Sequence, residues 1–407
     1  MISSFKEYFH LPGHIYALVV SKTINSLGNF ILPLLTLILT QKIGLNEGDA
    51  GFYLLVLSIS YVPGLLLGGI LSDKFGRKRV IIIFHGLAAI IFLGCGFIKP
   101  SMAMVFLLIF GSSLLAASLP AYDALTADLT NSENRKRTFS LLIMGHNLGF
   151  AIAPVIGGFL FKRFLPLVFI IDALSTFISV FLIATFVKEN SGKHLHKEVT
   201  KEIKHGTKNA FEFLLKKPII LYFSLLLFCY NFAYSQWAFT LPIQLVKLFN
   251  DNGSNVYGLL AGFNGILILI FSPIITKKTL KTIPLKVIAA GGLFYCAAFA
   301  ILSVSSTLPL FYIVVFVMTI GEIMITVNNS TFIASITPPE YRGVVNAAFQ
   351  IIFGAGFALG PLIVGRGLKY ISITNSWRLV SIEVGIAAIL MFLFYKRYKK
   401  NKVHQNY

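Results

Sequence analysis

The chain repeats itself once, without gaps, at an offset of 207 residues, so that Asn-Ser-Glu-Asn-Arg at 131–135 falls on Pro-Pro-Glu-Tyr-Arg at 338–342. In the same register Gly149-Phe150-Ala151 falls on Gly356-Phe357-Ala358, Pro154 on Pro361 and Gly158 on Gly365. Residues 128–158 and 335–365 share nine identities in 31 aligned positions, where unrelated apolar segments of this composition would share roughly two. A duplicated half-chain requires an even number of equivalent elements, and the apolarity of the sequence says what they are.

With 56% hydrophobic and 13% charged residues, 407 residues cannot hide their apolar surface inside a water-soluble globule. Stretches long enough for a bilayer core of roughly 30 Å run at about 15–40, 48–72, 80–98, 102–127, 138–161 and 164–187, and again at about 219–246, 255–276, 285–305, 308–334, 344–366 and 375–395. Shifting any of the first six by the repeat offset lands within a few residues of its partner. The expectation is an all-α polytopic membrane protein of twelve transmembrane spans in two pseudo-symmetric six-helix bundles, 1–190 and 218–407. The Lys- and Glu-rich interval 191–217 reads as a cytoplasmic linker that forms an amphipathic helix at the interface. Two duplicated apolar halves point to a secondary transporter. The absence of a Gly-x-x-x-x-Gly-Lys-Ser/Thr loop removes ATP as its energy source.

The net charge of +19 would suggest nucleic acid in a soluble protein, but its placement assigns it to topology. The N-terminus, 73–79, 133–137, 188–217, 277–286, 340–342 and 396–402 carry 26 Lys or Arg, against 8 on the opposite side, so both termini are expected in the cytoplasm. The first span exceeds a signal-peptide core and lacks a cleavage site, so it is expected to be retained in a multi-pass protein of the cell membrane. Cys95, Cys229 and Cys296 lie in apolar spans without paired spacing or His neighbours, so no disulfide framework, metal site or cofactor is expected. The expected partners are a small-molecule substrate, protons and membrane lipids, with no nucleic acid, and the chain is expected to act as a monomer and not as an enzyme.

Between the second and third spans the chain reads Gly69-Ile-Leu-Ser-Asp73-Lys74-Phe75-Gly76-Arg77-Lys78-Arg79. This resembles the signature loop of the major facilitator superfamily, Gly-x-x-x-Asp-Arg/Lys-x-Gly-Arg-Arg/Lys. The resemblance covers the whole chain and is carried further by the twelve spans and the half-chain repeat. Gly69 would let a neighbouring helix approach, Gly76 would permit the tight reversal, and Asp73 would face the positive N-terminus of another helix, in the family the eleventh. The resemblance implies that Asp73, Arg77 and the acidic Asp128 form a cytoplasmic latch, completed by Glu133 and Arg135. Lys78 and Arg79 read as topology charges. In span 5, Gly149-x-x-x-Ala153-Pro154-x-x-Gly157-Gly158 is similar to the family's antiporter motif, and implies close packing of spans 5 and 8 with a bend at Pro154. The Arg that many drug/proton antiporters of the superfamily carry in span 4 is absent, since 102–122 holds no charge.

Ionisable groups within apolar spans cost energy and need a reason. Glu322 lies halfway along span 10, close to the bilayer midplane, and its Gly-Glu pair resembles the acidic site of lactococcal-type multidrug/proton antiporters. It is the leading candidate for proton coupling, followed by Asp123 and Glu383. Asp172 reads as a packing carboxylate, and Lys22 as a side chain that snorkels to the cytoplasmic face. Asn25 and Asn29, His146, Asn231 and Tyr234, Trp237 and Asn328 are the candidate cavity residues. Aromatic and acidic groups in one cavity suit amphipathic or cationic compounds. The sequence therefore points to proton-coupled export of such compounds by alternating access. A nutrient or metabolite symporter or uniporter, a lipid translocase, and a non-transporting receptor or scaffold on the same fold stay open as alternatives.

Overall fold

The computed structural model describes residues 11–131, 133–187, 218–338 and 341–405, and the linker predicted at 191–217 lies outside them. Apolar segments that cannot hydrogen-bond to lipid must satisfy their own backbone, and every span does so as a helix. The first half comprises α1 (Gly13–Leu27), α2 (Ile31–Leu37), α3 (Glu47–Phe75), α4 (Arg77–Cys95), α5 (Met102–Asp128), α6 (Arg135–Arg163) and α7 (Leu165–Phe186). The second comprises α8 (Pro218–Ser235), α9 (Thr240–Phe249), α10 (Gly253–Thr279), α11 (Pro284–Leu302), α12 (Leu308–Ile336), α13 (Arg342–Gly367) and α14 (Ile373–Gln405). Spans 1 and 7 are each split in two, as α1–α2 and α8–α9, so among the described residues these fourteen helices make twelve spans.

Among the described residues eleven helical runs are long and apolar enough to cross a bilayer. One of them, Pro218–Thr279, has 62 residues and would reach about 93 Å if straight, roughly three bilayer cores. It folds back at the 3-10 turn Asn250–Asn252, where Asn250 takes φ 48° and Gly253 backs onto the Leu245–Val246 backbone. The run therefore supplies two spans.

The chain forms two compact units. The described residues of unit 1 fall within Met1–Asn46, Phe52–Ser191 and Leu245–Ile266, and those of unit 2 within Glu47–Gly51, Gly192–Gln244 and Leu267–Tyr407. Unit 1 has an apolar core at Leu18, Val80, Ile81, Ala121, Tyr122, Leu125, Ile183 and Val187. Unit 2 is built on aromatic contacts, with Phe223 against Phe332 at 4.6 Å between ring centroids and Phe299 stacked on Trp377 at 5.6 Å. Large apolar side chains such as Leu66, Ile70, Phe106 and Phe181 face outward, while Ser112, Ser118, Thr176 and Asn264 are buried. That inversion of the soluble pattern fits a lipid surround.

The two split spans break at overlapping places: 28–30, shifted by 207 residues, falls on 235–237, and span 7 breaks at 236–239. Within unit 1 the Phe30 and Ile31 amides donate to Asp172 Oδ2 at 3.1 and 3.2 Å. Asp172 is buried and caps the restarted helix α2, which is the packing role its sequence position suggested. Within unit 2 the break closes locally instead: the amides of Gln236, Trp237 and Ala238 donate to Ala233, Tyr234 and Ser235 carbonyls, and Thr240 Oγ1 donates to Gln236 Oε1 at 2.7 Å.

Candidate functional site

The charged loop between spans 2 and 3 is a single residue. Gly76 alone joins α3 to α4 with φ 96°, a conformation L side chains rarely adopt, so the reversal needs glycine. It places Arg77 at the start of α4, where Nη1 donates to Ala124 O at 3.2 Å and pairs with Asp128 Oδ2. Arg135 reaches the same end of α5, donating from Nη2 to Ala127 O and Thr130 O, both at 3.2 Å. Lys78 Nζ donates to Ala184 O and Val187 O at 2.7 Å, closing the C-terminus of α7. Three cations thus sit on helix C-termini, where exposed carbonyls and the helix dipole favour positive charge. Lys78 does more than set topology. Asp73 and Glu133 are exposed and make no ion pair among the described residues. In unit 2, Arg342 Nε donates to Thr337 O at 3.4 Å, the counterpart of Arg135 on Thr130.

Gly69 departs from expectation. Among the described residues nothing beyond its own helix lies within 4 Å of where its Cβ would be, whereas Gly68 and Gly64 face the Ala117 and Ser113 carbonyls of α5. Neighbouring helix positions differ by about 100°, so one step along the sequence moves the packing glycine off the seam.

The glycines of span 5 divide between two partners. On α6, Gly149 lies against Ser26 of α1 and Gly157 against Phe30 and Leu34, while Gly158 and Pro154 lie against Ser254 and Gly258 of α10. Only the latter two serve the predicted pairing of spans 5 and 8. Positions 149, 153 and 157 share one helix face and 154 and 158 the next. In unit 2 Gly365 and Pro361 meet Glu47 and Gly51 in the same way, each residue 207 positions from its counterpart or partner.

At span depth in unit 1, Lys22 turns inward. Its ammonium lies 4.7 Å from the centroid of the Tyr122 ring and interacts electrostatically with Asp123 and His146. This corrects the snorkelling expectation: the ring and the carboxylate offer the ammonium a better place than the interface. Tyr122 is held in turn by Ser179 and Ser21, whose hydroxyls lie 3.1 and 3.4 Å from its own. Asn25 donates to Thr176 Oγ1 at 3.0 Å, so it faces α7 and ties span 1 to span 6. Ser26 Oγ lies 3.3 Å from His146 Nδ1. Ser26, Asn29, Pro33, His146, Phe150 and Pro154 line a small recess at the break of span 1, with room for no more than about one water.

In unit 2, Tyr234 donates to Glu322 Oε1 at 2.9 Å, and its ring stacks on Tyr295 at 5.9 Å. Glu322 is half-buried, halfway along α12. Asn231 is diverted, donating to Phe353 O at 2.8 Å between α8 and α13, and Asn328 is buried and donates back to Met324 O. Trp237 is buried too. Glu383 stands apart on α14 beside the Cys229 thiol, and among the described residues neither its Oε2 nor the Tyr230 hydroxyl, both buried, has a hydrogen-bond partner. Tyr122, Ser179 and Tyr295 were not legible as functional residues, because each is one aromatic or hydroxyl group among many.

Residues 18–361 and 251–406 match the family model described as Major Facilitator Superfamily. Among curated relatives, the Na(+), Li(+), K(+)/H(+) antiporter of Planococcus maritimus is 22% identical over 405 residues, 90% of this chain and 92% of the relative. The multi-drug resistance efflux pump PmrA of Streptococcus pneumoniae is 26% identical over 338 residues, 80% of this chain and 82% of the relative. Among solved structures, the nucleoside transporter NupG superposes with a TM-score of 0.76 at 18% identity, covering 95% of this chain and all of the other.

Proposed function

The chain belongs to the Major Facilitator Superfamily and is a multi-pass membrane transporter, and from that premise we propose that it exports small amphipathic or cationic compounds in exchange for protons. The observation that carries this reading is the hydrogen bond from Tyr234 to Glu322, which orients one carboxyl group in the middle of an otherwise uncharged helix. A carboxylate so placed can hold either a proton or an organic cation but not both, and that competition is what couples their opposite movements. The tyrosines beside it offer aromatic faces to an amphipathic cation. The antiporter and efflux-pump relatives support both the proton exchange and the outward direction.

Asp123 and Glu383 are the secondary proton candidates, and the Arg77–Asp128 pair serves as the part of the cytoplasmic latch held within unit 1. Both termini are cytoplasmic in this reading, by the distribution of Lys and Arg. In everted vesicles the wild-type protein should accumulate tetraphenylphosphonium when a pH gradient is imposed, and Glu322→Gln should abolish the pH-driven component. Proton-driven accumulation by Glu322→Gln at the wild-type rate would assign the coupling to another group.

A further inference from the structure

Helix α14 runs on to Gln405, whereas its counterpart α7 ends at Phe186, which maps 207 residues on to Leu393. The added turns carry Lys396, Arg397, Lys399 and Lys400, and no Asp or Glu follows Glu383. All four cations are exposed, and none makes an ion pair among the described residues. They cover about 6 Å of helix rise, close to the depth of one headgroup layer, roughly 5–8 Å. The opposite face of α14 fixes its rotation. Ala387 and Met391 are buried, and the rings of Phe394 and Tyr398 meet Phe332 of α12 at 6.2 and 5.6 Å between centroids. These four fall at i, i+4, i+7 and i+11, a single stripe. The outward stripe has the same spacing: Ile382, Ile386, Ile389 and Leu393 are exposed, and Lys396 and Lys400 continue it. Phe392, beside the stripe, holds the Lys396 ammonium 4.9 Å from its ring centroid. Topology alone requires a number of cations at this end and no particular face. An exposed apolar stripe that ends in cations has the outline of a phospholipid.

We propose that this outward stripe binds one anionic phospholipid of the leaflet its cations face, the cytoplasmic one by the distribution of Lys and Arg. An acyl chain lies along Ile382–Leu393, and Lys396 and Lys400, flanked by Arg397 and Lys399, take the headgroup phosphate. A headgroup that carries its own ammonium cancels the phosphate charge, so the site selects phosphatidylglycerol over phosphatidylcholine. The site does not rest on Glu322, and either reading can fail alone.

The test offers the purified full chain equal amounts of dioleoyl-phosphatidylglycerol and dioleoyl-phosphatidylcholine in detergent micelles, and counts the retained lipids by mass spectrometry of the intact complex. The wild-type protein should retain phosphatidylglycerol over phosphatidylcholine by about fivefold. Replacing Lys396, Arg397, Lys399 and Lys400 together by Gln should bring the two lipids to parity. Replacing four other exposed lysines of unit 2, Lys277, Lys278, Lys281 and Lys286, by Gln removes the same charge and should leave the preference in place. Parity in the wild-type protein, or an equal fall in both variants, would overturn the proposal, the first leaving the cations to an acidic protein partner. Displacement of the lipid by inorganic phosphate would overturn it as well, since the site would then take a free anion. Should the α14 variant fail to fold, salt decides: the wild-type preference should fall toward parity between about 0.05 and 0.5 M NaCl, and a preference indifferent to salt would rule the cations out.

Discussion

The same backbone break occurs in spans 1 and 7, but the two units satisfy it by different chemistry. In unit 1 the freed amides of Phe30 and Ile31 go to a buried carboxylate from another helix, Asp172. In unit 2 the amides of Gln236, Trp237 and Ala238 stay within the turn, and a neutral amide, Gln236, takes the hydroxyl of Thr240. The position 207 residues after Asp172 is Leu379, which is exposed. Duplication has kept the geometry and let the cap diverge. A break that depends on a distant charge is coupled to the helix that supplies it, whereas a locally closed break is not.

Removing each cap separates the two cases. Asp172→Ala strands two buried donors at roughly 1–3 kcal/mol each, so we expect a loss of about 2–6 kcal/mol, read as a large fall in unfolding temperature in detergent. Asp172→Asn keeps an acceptor and should lose less. Gln236→Ala should cost only about 1–2 kcal/mol, because its neighbours' amides are already bonded. Equal losses from Asp172→Ala and Gln236→Ala would erase the distinction.

The glycine seams run the other way and should be matched. A side chain at Gly158 meets the carbonyl of Ser254, and one at Gly365 meets that of Glu47. Gly158→Leu and Gly365→Leu should each destabilise by about 1–3 kcal/mol, and a difference between them larger than the smaller loss would break the equivalence.

The smallest effect is expected at Lys78, whose counterpart 207 residues on is the buried Leu285. Lys78→Gln removes two charge-assisted hydrogen bonds from the partly solvated end of α7 and should cost about 0.5–1 kcal/mol. Hydrogen exchange at Ala184–Val187 reports it directly, and unchanged protection there would make Lys78 a topology charge after all.

Much of the fold was legible in the sequence because lipid imposes a simple rule: a segment of about 20 apolar residues becomes a helix, whatever its order of side chains. The same rule hid other features. Spans 1 and 7 read as single helices, since nothing in their hydropathy marks Gly28 or Gln236 as a break. Gly69 was expected to pack and Gly68 does, because apolar helices carry small residues on every face and only the crossing geometry selects one. Lys22 read as a snorkelling cation, because its distance from the span's end is local while its partners, Tyr122 on α5 and His146 on α6, lie a hundred or more residues away.

By itself the sequence determined the twelve-span duplicated architecture, the tight reversal at Gly76 and the carboxyl group at Glu322. Periodicity, a glycine between charges and a lone acid in an apolar run are one-dimensional signals. Only the tertiary structure decided that Tyr234 holds Glu322, that Asp172 caps a broken helix and that Lys22 faces inward. Each depends on which helix faces are pressed together, and packing against other helices sets that rotation.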